Sequence, residues 1–164
     1  SYEWFPSVAQ DTQRKRFLVV YQDEGGITAV CLSGLGAPLR SYPVSASGDY
    51  PDVVYNHWQD QYLIVWQQYG TIRGARLQAE CLAGGLSASF DISSDRPGTE
   101  GRPAVAYNHH ENHQDYLVVW SDQSTFTGVW ARRLSATSID ANSFLGLLLQ
   151  MASAISKSTN FAFL

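Results

Sequence analysis

The sequence predicts an all-β chain of about three four-stranded antiparallel repeats, and three observations carry that reading. The first is an internal period. Three segments share one order of features, led by Pro6, Pro51 and Pro103, so the repeats start 45 and 52 residues apart. Such spacing suits one four-stranded unit per repeat. The second is strand chemistry: Phe17–Tyr21 (FLVVY), Tyr62–Trp66 (YLIVW) and Tyr116–Trp120 (YLVVW) are β-branched and aromatic runs without polar alternation. Continuous runs of this kind predict strands buried on both faces. The third is composition. Aromatics make up 13% of the 164 residues and charged residues 16%, against roughly 25% charged in a typical soluble domain. That balance favours stacked sheets over a solvated helical bundle.

The elements follow in order. The first repeat reads Pro6–Gln10, Phe17–Tyr21 and Ile27–Leu32, with a fourth strand near Leu39–Val44. The second reads Pro51–Asn56, Tyr62–Trp66 and Ile72–Leu77, with a fourth strand at Ser87–Ser93. The third reads Pro103–Asn108, Tyr116–Trp120 and Val129–Leu134, with a fourth strand at Leu147–Ala152. Leucines between Ser143 and Ser156 would also suit a helix, but the repeat alignment places a strand there. The glycine-rich stretches Ser33–Ala37 and Ala83–Gly85 are turns. A proline at a strand start is tolerated, because only one donor is missing there. The units are thus blade 1 at about 6–46, blade 2 at about 51–94 and blade 3 at about 103–153. They form a single repeat domain over 1–164, with an overhanging strand at 158–164 that echoes the start of a further repeat.

The pattern Pro-Ala-Val-Ala-Tyr-Asn, Tyr-Leu-Val-Val-Trp, Ala-Arg-Arg-Leu-Ser-Ala resembles the repeats of large secreted or surface-attached bacterial β-propeller proteins. The resemblance covers residues 6 to about 135. It implies a four-stranded blade and an extracellular or cell-surface location. The first repeat departs from it at Gln10, where the others have Tyr55 and Tyr107, and at Cys31, where they have Arg76 and Arg133.

Charge and cysteine narrow the classes. The net charge is −4, so no basic footprint for nucleic acid exists. The one tight basic cluster, Arg14-Lys15-Arg16, is expected at a solvated hairpin tip. No apolar run of spanning length occurs, no signal peptide is evident, and a first residue Ser1 rather than Met suggests a processed or trimmed product. Cys31 and Cys81 are expected as buried free thiols. If they pair instead, they close a loop of about 50 residues worth roughly 4 kcal/mol.

Catalytic patterns are weak, and no enzyme, cofactor or metal is expected. His109, His110 and His113, with Glu111 beside them, form HHxxH on a hairpin tip, where three ligands do not converge. Asp23, Glu24, Asp60, Asp95, Glu100, Asp115 and Asp122 fall in expected turns, with no pairing pattern for sugar hydrolysis. The aromatics are richer. Tyr62, Trp66, Tyr116 and Trp120 are expected in the core, while Trp4, Trp58, Tyr69, Phe126 and Trp130 fall at turns or irregular positions. Trp58, Trp130 and Tyr69, with Asn56, Asn108, Arg76 and Arg133, are the candidate binding residues, since aromatics stack on sugars or anchor interfaces and arginines bind anions.

Three blades cannot close a ring, because propellers have about four to eight. Two apolar blade faces would be left in water, a situation that predicts association. The expectation is a non-enzymatic extracellular structural or interaction protein that assembles with itself or another propeller chain. The alternative is a lectin-like module with one glycan site per blade.

Overall fold

The computed structural model describes residues 2–93, 100–110, 114–122 and 128–136, and the backbone of 151–152. Within them the chain is all β, with no helix. Three antiparallel sheets follow one another along the sequence, and none closes on itself. Sheet 1 is a meander of β1 (Trp4–Asp11), β2 (Arg16–Asp23), β3 (Gly26–Leu32) and β4 (Pro38–Ser45). Sheet 2 repeats it with β5 (Asp49–Asn56), β6 (Gln61–Gln68), β7 (Thr71–Gln78) and β8 (Phe90–Asp91). Sheet 3 has β9 (Glu100–Tyr107), β10 (Asp115–Asp122) and β11 (Gly128–Ser135), with β12 (Met151–Ala152) paired to the outer edge of β11.

Two fourth strands differ from the expected lengths. The segment expected as Ser87–Ser93 has regular pairing only at Phe90–Asp91, although Ser87 and Ile92 still donate backbone hydrogen bonds to Arg76 and Ile72. Of the expected Leu147–Ala152, only Met151–Ala152 falls within the described residues, as does nothing of the 158–164 overhang.

Each first strand carries the same irregularity. Register slips between Trp4 and Ser7 and between Asp49 and Asp52, and on the partner strand between Val119 and Ser121. Phe5-Pro6 thus stands opposite Tyr21, Tyr50-Pro51 opposite Trp66, and Arg102-Pro103 opposite Trp120. The residue before each proline has positive φ, at 50°, 52° and 52°. The repeated proline is therefore part of a β-bulge inside the strand, not its first residue. A bulge leaves a backbone group unpaired, so a missing N–H costs little there.

The sheets stack through their first strands, β1 on β5 and β5 on β9. Two cores result. One joins Leu18 and Val20 of sheet 1 to Tyr62, Ile64 and Trp66 of sheet 2. The other joins Leu63 and Val65 of sheet 2 to Tyr116, Val118 and Trp120 of sheet 3. The four strand aromatics expected in the core are buried, at 3% exposure or less. Gly48, at φ +140°, enters β5 so close to Trp66 that an added Cβ would stand 2.6 Å from the indole. A larger residue there would displace a ring that holds the first core together.

The cysteines are not free. Cys31 of β3 and Cys81 after β7 form a disulfide that staples sheet 1 to sheet 2, with Cα atoms 6.3 Å apart. The free-thiol expectation failed because spacing along the chain does not reveal that β3 of one repeat abuts the loop after β7 of the next.

Candidate functional site: two open sheet faces

The three apolar runs look alike in sequence but are buried differently. In β6 every residue from Gln61 to Trp66 is buried. In β2 only Leu18 and Val20 are buried, and in β10 Leu117 is 47% exposed with Val119 half-buried. The expectation that all three runs are covered on both faces holds for the middle sheet alone. Only sheet 2 has a neighbour on each side among the described residues.

The two internal interfaces follow one rule. The lower sheet presents an aliphatic pair, Leu18 and Val20 or Leu63 and Val65. The upper sheet presents an aromatic-bounded triple, Tyr62, Ile64 and Trp66 or Tyr116, Val118 and Trp120. Side chains at matching positions cross both junctions to backbone carbonyls. Arg16 donates to Glu80 O at 3.0 Å, and Gln61 donates to Ala136 O at 3.3 Å. At the third-strand position, Arg76 donates to Ser135 O at 3.2 Å across the second junction, while Cys31 forms the disulfide across the first. The departure at Cys31 is thus a covalent bond in place of a hydrogen bond.

What remains open at the two ends follows directly. Sheet 1 shows the triple Phe17, Val19 and Tyr21, flanked by Val8 at 61% exposure. Sheet 3 shows the pair Leu117 and Val119, with Ala104 and Ala106 opposite them on β9 and Val129 exposed at 44%. A shallow cavity of about 360 Å³ on that face is lined by Ala106, Tyr107, Asp115, Leu117 and Arg133 among others.

The candidate binding residues do not converge. Trp58 is 48% exposed on the β5–β6 turn beside His57, and Tyr69 is 89% exposed on the β6–β7 turn at the other end of β6. Trp130, expected at a turn or irregular position, lies in β11 at 2% exposure and packs in the core between sheets 2 and 3. Asn56 is buried and structural: its carbonyl accepts from Trp58 N and Gln59 N, and its amide donates to Tyr116 Oη at 3.0 Å. Asn108 caps its turn by accepting from His110 N at 3.1 Å. Arg76 lies over the Phe90 ring, where burial lowers its pKa. Arg133 is half exposed on the open face, 3.5 Å from Asp115.

Charged groups also depart from expectation. Arg14, expected at a solvated tip, binds Asp11 and bridges to Asp60 of sheet 2 at 2.5 Å. Its guanidinium, joined by a hydrogen bond from Tyr55, holds the Asp60 carboxyl below its usual range. Glu100 and Asp122, expected in turns, are buried cross-strand partners at the ends of β9 and β10. Burial raises the Glu100 pKa, and the neighbouring Asp122 charge adds to that, while Ser93 donates a hydrogen bond that opposes it. His57 and His109 stack across sheets 2 and 3, with ring centroids 5.3 Å apart. His113, Glu111, Asp95 and Phe126 lie outside the described residues. Among the described residues no group of three His, Cys, Asp or Glu side chains is placed to hold a metal, and no helix is long and apolar enough to cross a membrane.

The bulges create one grouping that sequence reasoning missed. The Phe5 and Tyr50 rings pack at a tilt with centroids 4.5 Å apart, and the Arg102 guanidinium lies 5.2 Å over Tyr50. With the three repeated prolines they line a slot of about 470 Å³. The signal was present: each is the residue before a repeat proline.

No family model and no curated protein matches this chain.

Proposed function

We propose that this chain is a non-enzymatic structural or interaction protein of the cell exterior. It is a three-blade array of propeller type whose end faces hold neighbouring blades. One observation carries the reading: each end presents the unfilled half of an interface that the chain already makes twice internally. Exposed apolar faces of this kind mark association sites. The inter-sheet disulfide supports the location, since such bonds persist in oxidising compartments. The glycan-binding alternative has less support, because Trp58 and Tyr69 stand at opposite ends of one strand and Trp130 is buried.

The native particle, recovered under gentle conditions, is expected to exceed the 18.2 kDa chain mass, and Leu117→Lys is expected to release the chain from it. A lone native chain whose end faces bind no apolar dye would overturn the reading. Saturable sugar binding that disappears in Trp58→Ala would favour the lectin alternative instead.

A further inference from the structure

Resting on that reading, we infer that the neighbour is a second copy of this chain, and that two copies close a six-sheet ring by stacking head to tail. The open face of sheet 3 on each copy packs against the open face of sheet 1 on the other.

The argument is continuity with the internal interfaces. Leu117 and Val119 occupy the positions of Leu18 and Val20 and of Leu63 and Val65, the pair presented by every lower sheet. Phe17, Val19 and Tyr21 occupy the positions of Tyr62, Ile64 and Trp66, the triple presented by every upper sheet. The two open faces are thus complementary to each other and not to themselves. A contact between unlike faces is heterologous, and such contacts form a ring when the rotation closes. Six sheets lie within the roughly four-to-eight range over which stacked sheets close around an axis.

One polar group extends the match. Arg133 stands at the position of Arg76, opposite Leu117 as Arg76 is opposite Leu63. Arg76 reaches the carbonyl of Ser135, the residue after the last leucine of the next sheet. In a second copy the corresponding residue is Ser33, which follows Leu32. Arg133 is therefore assigned to the Ser33 carbonyl of the neighbouring copy. Three hydrogen bonds are lost relative to the internal junction: Asn56 and Gln61 donate to the Tyr116 hydroxyl and Gln61 to the Ala136 carbonyl, whereas Phe17 has no hydroxyl and Asp115, at the position of Gln61, has no donor. The junction between copies is consequently weaker than the junction between sheets 2 and 3, which suits an association that can be measured by dilution.

The test uses the purified full chain, the single variants Val19→Lys and Leu117→Lys, and their mixture. Light scattering after size exclusion is expected to give twice the 18.2 kDa chain mass for the unaltered protein. Each variant alone is expected to be monomeric, with an unchanged far-ultraviolet sheet spectrum. Mixing the two is expected to restore a two-chain species, because one junction in the mixed pair keeps both natural faces. A Val19→Lys variant that stays dimeric would mean like faces pair, and would overturn the head-to-tail assignment. A ladder of larger species would overturn closure. A monomeric unaltered chain overturns the second-copy inference outright. In that event, apolar dye binding at both ends leaves the broader interaction reading standing, and its absence removes that reading too.

Discussion

At the scale of single residues, two carboxylates of opposite character set how stability depends on pH. Asp60 is held below its ordinary value by Arg14 and Tyr55. A carboxylate lowered in the fold contributes stability above its unfolded pKa of about 3.9, and loses it as pH falls through the folded value. Glu100 is raised, chiefly by burial. Its contribution is full below the ordinary glutamate range and is lost as pH rises through the folded value. Urea midpoints measured against pH are therefore expected to separate the two. Asp60→Asn destabilises at neutral pH and flattens the acid limb. Glu100→Gln stabilises at neutral pH, since the Ser93 hydroxyl that donates to Glu100 can donate to an amide oxygen. Equal slopes for parent and Glu100→Gln as pH rises above the ordinary glutamate range would sink the assignment. Neither role was legible in the sequence. Asp60 does lie in a turn, as expected, but its ion pair reaches to Arg14 of another repeat, and the burial of Glu100 at a strand end depends on the sheet stacked above.

At the scale of elements, most of the strand order was readable from the repeated prolines and apolar runs. Identical features at a period of 45–52 residues leave little freedom in where strands begin and end. The prolines read as strand starts, so neither the bulges nor their left-handed residues Phe5, Tyr50 and Arg102 were legible. Nothing in those residue types favours positive φ; it goes with the bulge each of them sits in, and such local strain persists only where surroundings over-determine it. The disulfide was illegible for a related reason, since it joins elements of different repeats. It closes a sequence separation of 50, for which the chain-entropy estimate is about 4 kcal/mol. The double variant Cys31→Ser/Cys81→Ser is expected to lose stability of that order. Because the bond staples sheet 1 to sheet 2, amide exchange in β3 and β4 is expected to quicken more than in β10. Uniform quickening through all three sheets would show that the disulfide does not act locally.

At the scale of the whole molecule, equivalent positions should carry unequal weight, because the ends differ from the middle. Val19, Ile64 and Val118 are the same residue of the repeat, but Ile64 is fully buried and Val19 is not. Truncating a buried isoleucine to alanine costs about 2–5 kcal/mol, so Ile64→Ala should lower the midpoint at every protein concentration. Val19→Ala removes less buried surface, and in a dilute monomer it should cost below about 1 kcal/mol. If two chains close a ring, a partner that binds only the folded state makes the thermal midpoint climb with protein concentration. Val19→Ala should then lose most of that climb while Ile64→Ala keeps it. Thermal scans of the three proteins over a concentration series decide the matter. A parent midpoint independent of concentration would leave the faces of sheets 1 and 3 without the mutual role assigned to them. A climb retained by Val19→Ala would place the contact elsewhere on the surface.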